Sequence, residues 1–484
     1  MKQALHNSQS PLHETLRRLL FFTTMLLFIQ FTKAQSPAFW GTAFGGGPLG
    51  DGTIVKGDGN GNFSKVYEFI DSIGAAPVGN MIEINGGLYG QTYRGGYGDS
   101  CCIYRYDTTT GAYTMLYEFF AAIPNGWDAW GDLIRASDGN IWSTCAAGGA
   151  GGMGVIYKFD PTDNTYHNMY DFTSASGGGA FGGFVELPDG KLYGTTPSYG
   201  LNSAGTIFSF NPADTTLAVL HNFQAIDGQP ALYGNLIYNS TDGLLYGVTS
   251  YYGGTAPNII YTIDPLTSNF NTVYTFDSIG YYATAGLVQA ANGMMYGATT
   301  SGGSYGMGVL YSFNPSTHGF TKLHDFGVGG GSPMRTLTIG SNGKIYGSCQ
   351  QGGANGCGSL FSYDLTSSTF TDLFDFDNYL SGCGPQCVLT EVGATEQTAV
   401  AEISNTKSLS VYPNPVSESF VIRNSSLAAT HGASVTITDL FGRVVLTQYA
   451  LPNARYNIAH LPAGVYFVEL SNGNETKSGR FVKE

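Results

Sequence analysis

Short apolar segments separated by glycine, proline, asparagine and aspartate run through most of this chain. Several of them, such as residues 259–263 and 309–313, are apolar at both sets of alternating positions. A strand with one exposed face would alternate apolar and polar residues, so these strands are expected to be buried on both faces. The same region lacks the period of an amphipathic helix. The pattern therefore predicts an all-β fold built from small, stacked sheets.

An aromatic residue with threonine or serine close behind recurs seven times, and in six of the seven cases glycine follows the aromatic residue directly. These anchors are Trp40, Tyr89, Trp142, Tyr193, Tyr246, Tyr296 and Tyr346. Their separations are 49, 53, 51, 53, 50 and 50 residues. A fixed period of this size is typical of a repeat fold in which each unit is one supersecondary element.

Each unit is predicted to hold four short antiparallel strands. In one unit, Asp138-Gly139 suits a two-residue hairpin turn, because such turns need positive φ at both central positions. A Gly-Gly pair then opens the loop between the second and third strands, and Asp160 before a proline ends the third strand. One four-stranded sheet buries too little apolar area to fold alone, so the units must stack. We predict a seven-bladed β-propeller over residues 35–394.

The two ends of the repeat region predict a closed ring. Trp40 lacks the inner strand that should precede it, whereas residues 387–392 match an inner strand with no second strand after it. We expect this last segment to pair with the Trp40 strand and complete the first blade. Such closure would remove an exposed sheet edge that could template aggregation.

The remaining segments read as a leader, a linker and a second domain. Residues 1–34 resemble a secretory signal peptide, with cleavage between Ala34 and Gln35, and their apolar run is too short to span a membrane. Residues 395–407 form a polar linker. Residues 408–484 show alternating strands between turn residues, which predicts a small Ig-like β-sandwich.

Three motifs in this second domain resemble the C-terminal sorting domain of the type IX secretion system. They comprise Tyr412, Pro413, Asn414 and Pro415, then Gly442 and Arg443, then Gly464 and Tyr466, with Lys483 near the end. The resemblance implies secretion to the extracellular or outer-membrane surface of a Gram-negative bacterium. It also implies the type IX machinery and a sortase as partners.

The repeats resemble a second family, the GloVer-type tandem repeats of secreted bacterial proteins. Tyr193-Gly194 and Tyr296-Gly297 carry its aromatic-glycine pattern. That family has no established activity to transfer, so the resemblance implies fold and secretion only.

Charge and cysteine content narrow the function classes. The net charge of −14 with no basic cluster disfavours nucleic acid and anionic membranes as partners. We expect a monomer without cofactor or metal. Export permits disulfides, and the spacing suggests that Cys349 pairs with Cys357 and Cys383 with Cys387.

Loops on one face of the predicted propeller carry aromatic and arginine side chains that could bind a glycan or protein. The candidates are Arg94, Trp127, Trp130, Tyr233, Tyr251, Tyr252, Tyr281, Tyr282 and Arg335. Flat rings with polar tips suit the CH-rich faces of sugars. The same rings could instead fill gaps between blades.

No catalytic motif is evident, so a secreted binding protein is the favoured function. An extracellular polysaccharide hydrolase or lyase is one alternative, with Asp128, Asp132 and Asp227 as candidate acids or bases. A structural or adhesive surface protein is another. The carboxylates Glu68, Glu118, Asp171, Asp325 and Asp375 recur at one repeat position, which favours a structural role for them.

Overall fold

The computed structural model describes residues 37–98, 100–120, 125–250, 258–276, 280–327 and 329–393 of the repeat region. In the C-terminal region it describes 410–412, 416–423, 434–439, 444–449, 455–459, 461–462, 464–471 and 476–483. Apart from turns and loops, these residues form β-strands and one short 3₁₀ helix, Asp71–Ile73. None of them belongs to a helix long and apolar enough to cross a membrane. The all-β prediction is confirmed.

The described part of residues 37–393 forms seven sheets of four or five strands, numbered here 1 to 7 in chain order. Sheet 1 consists of Ala38–Ala43, Thr53–Gly57, Ser64–Glu68 and Thr390–Val392. Sheet 2 consists of Ala75–Ile84, Gly87–Arg94, Cys102–Asp107, Tyr113–Glu118 and Cys387–Val388. Sheet 3 consists of Ile134–Arg135, Ile141–Cys145, Val155–Asp160 and Thr165–Asp171.

The other four sheets repeat the same antiparallel order. Sheet 4 consists of Val185–Glu186, Leu192–Thr196, Thr206–Asn211 and Thr216–Asn222. Sheet 5 consists of Ile237–Asn239, Leu244–Val248, Ile259–Ile263 and Phe270–Thr275. Sheet 6 consists of Val288–Gln289, Met295–Ala298, Val309–Asn314 and Gly319–Asp325. Sheet 7 consists of Thr338–Ile339, Lys344–Cys349, Ser359–Asp364 and Thr369–Asp375. A two-stranded pair, Gly280–Tyr281 with Ser301–Gly302, lies beside them.

The aromatic-glycine motif has a direct structural explanation. The polar tip of the aromatic anchor bonds the first hairpin turn: Tyr246 Oη donates to Asp242 Oδ2 at 2.7 Å. The following glycine is paired with an aromatic residue of the third strand, as Gly247 is with Tyr261. A Cβ atom at position 247 would overlap the Tyr261 ring. The motif therefore fixes the turn and leaves room for the ring on the next strand.

Seven apolar clusters hold the sheets together. Each cluster combines side chains of two sheets that follow one another in sequence, from sheets 1 and 2 to sheets 6 and 7. The seventh cluster joins the last sheet to the first, with Phe39 and Val55 from sheet 1 packed among Tyr346, Leu360 and Phe376 from sheet 7. Each of the seven sheets thus has two neighbours.

The outer edges of neighbouring sheets are joined by ring stacks between fourth strands. His221 stacks on Phe270 with ring centroids 4.0 Å apart, and His324 stacks on Phe370 at 3.8 Å. Burial lowers the pKa of both histidines. Both histidines lie in fourth strands, and their stacking gives them a packing role.

The predicted closing strand is confirmed. Thr390–Val392 pairs antiparallel with Ala38–Ala43, so that Trp40 lies opposite Thr390. The preceding residues Cys387–Val388 pair in parallel with the first strand of sheet 2. The closing segment therefore joins sheets 1 and 2 as well as completing sheet 1.

The predicted disulfide pairing is wrong. Cys357 is bonded to Cys383, and Cys349 and Cys387 are free and buried. Cys357 ends the loop between the second and third strands of sheet 7, and its carbonyl accepts a hydrogen bond from Gly384 N. That contact brings the loop against the closing segment. The disulfide thus ties sheet 7 to the segment that returns to sheet 1.

The described residues of the C-terminal region form two further sheets. One contains Ser410–Tyr412, Ser419–Arg423 and Arg455–Asn457. The other contains Ser434–Asp439, Val444–Tyr449, Gly464–Ser471 and Thr476–Lys483. Phe420 and Tyr456 of the first sheet share one apolar cluster with Val435, Val468 and Phe481 of the second.

Candidate ligand-binding site

The loops that lead into the first strands share a backbone turn. In six of the sheets, a residue with positive φ occupies an equivalent place in this loop. It lies three positions before the residue that is equivalent in each repeat to Arg335 of sheet 7. These residues are Ala76, Asp128, Gly179, Tyr282, Ser332 and Gly384. Positive φ is uncommon for non-glycine residues and is frequent at functional sites. The shared turn brings the residues that follow it towards one region, as their contacts show.

Five aromatic side chains, each from a different sheet, form one cluster in this region. They are Phe44, Tyr93, Trp130, Phe181 and Tyr233. The Trp130 ring centroid lies 4.8 Å from that of Tyr93, 5.9 Å from that of Tyr233 and 6.1 Å from that of Phe44, while Phe181 lies 6.2 Å from Tyr233. Tyr93 is exposed and Trp130 is half-buried. We call these five residues the aromatic platform.

Arg335, from the loop before sheet 7, packs against the platform. Its guanidinium carbon lies 4.1 Å from the centroid of the Tyr233 ring and 5.7 Å from that of Trp130. The side chain is only 1% exposed. Within the described part of the chain, none of its three guanidinium nitrogens has a hydrogen-bond partner. A buried arginine therefore keeps its donors free.

Asp132 is the charged neighbour of this arginine. Its Oδ1 lies 3.8 Å from Arg335 Nη1, beyond hydrogen-bonding distance. Both carboxylate oxygens are already used: Asn80 N donates to Oδ1 at 3.1 Å, and Asn235 Nδ2 donates to Oδ2 at 2.9 Å. Burial raises the pKa of Asp132, and the nearby guanidinium opposes that rise.

Arg335 occupies a repeat position at which the other six sheets carry a small residue. It lies three residues before Thr338, which is paired with the anchor Tyr346. The equivalent residues in the other six sheets are Gly79, Gly131, Gly182, Gly234, Ala285 and Cys387. Because six positions are small, the arginine can extend across to Tyr233 of sheet 5 and Asp132 of sheet 3.

Three of the predicted binding residues, Trp130, Tyr233 and Arg335, are brought together here. The platform also contains Phe44, Tyr93 and Phe181. Aligning the seven units on their anchors would have shown that Arg335 is the exception at its position. Phe44 and Tyr93 carry no such signal, because they read as ordinary residues at the end of a strand.

Three other predicted residues lie outside the platform. Arg94 forms an ion pair with Asp51 at 3.8 Å and is half exposed. Trp127 is 42% exposed, and its backbone is paired with Ala147. Tyr282 is half-buried and accepts hydrogen bonds from Thr300 through its carbonyl. Tyr251, Tyr252 and the side chain of Tyr281 lie outside the described residues.

Three of the five recurring carboxylates hold the Gly-Gly loops, which agrees with a structural role for them. Glu68 accepts a hydrogen bond from Leu49 N, Glu118 from Gly98 N and Asp325 from Ser304 N, at 2.7 to 2.9 Å. In sheet 4 the equivalent Asn222 accepts from Leu201 N at 2.7 Å. An uncharged amide can thus fill the same role, which favours loop support over catalysis.

The candidate acids and bases do not form one catalytic group in the observed contacts. Asp128 accepts a hydrogen bond from Trp130 Nε1 at 2.7 Å, and burial raises its pKa. Asp227 lies 3.4 Å from His221 Nε2 at an outer strand. In the part of the chain that is described, no cluster of three or more His, Cys, Asp or Glu residues could hold a metal ion.

A separate cavity of about 380 Å³ lies at the opposite ends of the strands. It is lined by turn residues of sheets 2 and 3, including Asn85, Asp138 and Asp160, together with Arg105 and Arg135. Arg105 is paired with Asp107 at 3.1 Å. This cavity thus lies away from the aromatic platform.

Comparison with known families decides the relationship of the repeat region. The model described as the Gloeobacter/Verrucomicrobia repeat matches residues 100–292 and 279–395, which together exceed half of the chain. The chain belongs to this repeat family. A search of curated proteins finds no match.

The C-terminal region of this repeat protein matches the secretion system C-terminal sorting domain over residues 410–484. This domain indicates a secreted or cell-surface protein that interacts with the type IX machinery. Among the predicted motif residues, Tyr412 pairs with Val421, and Tyr466 Oη donates to Pro462 O at 2.9 Å. Gly464 pairs with Lys483 in the last sheet. Pro413, Asn414, Pro415, Gly442 and Arg443 lie outside the described residues, as do Ala34 and Gln35.

Solved structures similar to the repeat protein are propeller-like. A Bacteroides fragilis protein assigned as a 6-phosphogluconolactonase has a TM-score of 0.51 at 15% identity, covering 75% of this chain and 99% of its own. The periplasmic gluconolactonase of Pseudomonas aeruginosa has a TM-score of 0.50 at 14% identity, covering 73% and 99%. PorZ of Porphyromonas gingivalis has a TM-score of 0.44 at 14% identity, covering 90% and 63%. At these identities the likeness of the two gluconolactonase structures concerns the fold alone.

Proposed function

We propose that this protein is a surface or secreted glycan-binding protein whose residues 35–394 form a seven-bladed β-propeller. Residues 1–34 act as the signal peptide, and residues 395–407 link the propeller to an Ig-like sorting domain over residues 408–484. The aromatic platform is the binding surface. The observation that carries the proposal is the meeting of five rings from five sheets at one partly exposed face.

The ring architecture is supported by the contacts between sheets. Every sheet shares an apolar cluster with the next, and the seventh shares one with the first. First strands are also joined directly, as when Thr338 Oγ1 donates to Leu389 O at 2.6 Å and Thr390 Oγ1 to Met81 O at 2.6 Å. A cyclic arrangement accounts for both sets of contacts and for the contact of Arg335 with sheets 3 and 5.

A glycan suits the platform because sugar rings present apolar CH faces edged by hydroxyl groups. Aromatic side chains bind such faces with little loss of conformational entropy. Tyr93 adds a polar tip at the edge, whereas the Trp130 Nε1 group already donates to Asp128. The sorting domain supports a surface location, where extracellular polysaccharide is available and where a sortase would attach or release the protein.

The test is retention of the full-length, exported protein on a panel of polysaccharides. We expect retention by at least one of them, and an affinity at least tenfold weaker for the Trp130→Ala and Tyr93→Ala variants. Tyr97→Ala is the matched control, because Tyr97 is 96% exposed and lies outside the platform. Equal losses in the control, or no retention by any polysaccharide, would contradict the proposal.

The same assay separates binding from catalysis. Released oligosaccharides would identify a hydrolase or lyase and direct attention to Asp128 and Asp132 beside the platform. Binding of a protein partner in place of any polysaccharide would also overturn the glycan assignment. Adhesion without soluble ligand binding would favour a structural surface protein.

A further inference from the structure

Arg335 is the cationic group that the platform encloses. Its side chain is 1% exposed, and the rings of Tyr233 and Trp130 lie beside it. Nε, Nη1 and Nη2 each lack a hydrogen-bond partner among the described residues. A buried charged group is normally paired and hydrogen-bonded, because desolvation otherwise disfavours it strongly. An arginine in this state is therefore suited to receive an acceptor from outside the chain.

Asp132 does not fill that role. It is 3.8 Å from Arg335, and its oxygens are held by Asn80 from sheet 2 and Asn235 from sheet 5. Asn80 and Asn235 are in turn fixed by Leu133 N and Gly183 N. The carboxylate is thus held in place at a distance that supports the positive charge without engaging its donors.

We propose that Arg335 binds the carboxylate of an acidic sugar, so that the platform recognises a uronic-acid-containing glycan. This inference rests on the proposed glycan-binding function and specifies its ligand class. Guanidinium groups bind carboxylates through paired N–H donors, and these bonds are strong where water is excluded. A uronate would place its carboxylate on Arg335 and its pyranose face on the adjoining rings. A neutral sugar would offer only uncharged hydroxyl oxygens to these donors, which form weaker hydrogen bonds than a carboxylate does.

The surrounding repeat positions favour a small anionic group at this point. Six of the seven equivalent residues are glycine, alanine or cysteine. None of these six positions therefore carries a large side chain that would compete with the arginine for the space it occupies. Trp130 is half-buried, and Tyr233 is 8% exposed. The arginine lies beneath these rings, so the proposal requires one of them to turn aside for a carboxylate to reach it.

The experiment compares acidic oligosaccharides with their own methyl esters, which have the same sugar backbone without the charge. Oligogalacturonides, oligoalginates and glucuronate-containing oligosaccharides are titrated into the full-length protein by calorimetry. We expect at least one acid form to bind tenfold or more tightly than its ester. Wild-type protein that binds every ester as well as its acid would overturn the inference, although glycan binding itself would stand.

Variants test whether a preference for the acid over its ester depends on Arg335. Arg335→Met is expected to abolish the preference for acid over ester while the ester still binds. Because this variant leaves Asp132 buried without its charged neighbour, the double variant Arg335→Met with Asp132→Asn provides a folded, neutral site. Arg94→Met is the matched control, since Arg94 is half exposed and paired with Asp51. A preference that survives in the double variant, or one that Arg94→Met also removes, would contradict the inference.

Discussion

The first hairpin turns lie at one end of the strands in the repeat region, which we call the turn end, and the aromatic platform lies at the other, the platform end. The two ends differ in how often equivalent positions carry the same type of residue. At the turn end, five of the seven anchors bond the first hairpin turn in the described contacts. Tyr246 Oη donates to Asp242, whereas Asn292 Nδ2 and Asn342 Nδ2 donate to the hydroxyl oxygens of Tyr296 and Tyr346. At the platform end, Arg335 departs from the repeat, because the other six sheets carry glycine, alanine or cysteine at its position. Repetition accompanies structural roles, whereas divergence marks the surface that can recognise a ligand.

The largest expected effect is a loss of stability when Asp132 is removed from the platform end. Asp132→Ala would leave Arg335 buried without its charged neighbour, and we expect a loss of about 3–5 kcal/mol in the free energy of unfolding. The double variant Arg335→Met with Asp132→Asn should recover most of this loss. Urea denaturation of the full-length protein measures both. Equal instability of the single and double variants would show that the charge pair is not the cause.

A second prediction concerns the turn end. Gly247→Ala would force a Cβ atom into the Tyr261 ring, and overpacking of this kind destabilises by about 1–3 kcal/mol. Gly329→Ala is the control, because a Cβ there would meet no atom within 4 Å. Thermal unfolding of the two variants compares them. Similar midpoints for both would contradict the explanation given for the aromatic-glycine motif.

Much of the turn end could be predicted from sequence because its interactions are local. Asp242-Gly243 and Tyr246 lie within five residues, and the turn, the strand and the aromatic anchor recur together. The closing strand was predicted because residues 387–392 repeat the pattern of a first strand. These features depend on short spacing or on repetition, both of which are visible in one sequence.

The platform end was predicted only in part because it depends on contacts between sheets that are distant in sequence. Trp130, Tyr233 and Arg335 were identified from loop position, but their contact requires sheets 3, 5 and 7 to face a common region. The disulfide was missed for the same reason. Cys357 and Cys383 are 26 residues apart and meet only because the last loop packs on the closing segment.

A third prediction tests whether recurring carboxylates act through hydrogen bonds. Asp325→Ala removes the acceptors of Ser304 N and Ser304 Oγ and an exposed ion pair with Lys322, so we expect a loss of about 1–2 kcal/mol in unfolding free energy. Asp325→Asn should be close to neutral, because Asn222 fills the equivalent position in sheet 4. Chemical denaturation distinguishes the two. An Asn variant as unstable as the Ala variant would indicate that charge is essential.

The smallest effect concerns pH. Burial, followed by repulsion from Asp375, raises the pKa of Asp372 to about 6. The folded protein therefore binds this proton more tightly than the unfolded chain, and the resulting penalty grows as pH rises from about 4 to 6. Asp372→Asn should raise the melting temperature above pH 6 and have no effect near pH 4. Because Asp372 is partly exposed, the gain should be below about 1 kcal/mol. An equal gain at both pH values would contradict this origin.

Hydrogen–deuterium exchange of the full-length protein, with and without the polysaccharide that retains it best, tests the central claim most directly. The account predicts slower exchange in the segments around Tyr93, Trp130, Phe181, Tyr233 and Arg335, with no change at the turns of residues 138–140, 189–191 and 242–244. Protection confined to those turns would contradict the claim that the platform end binds the ligand.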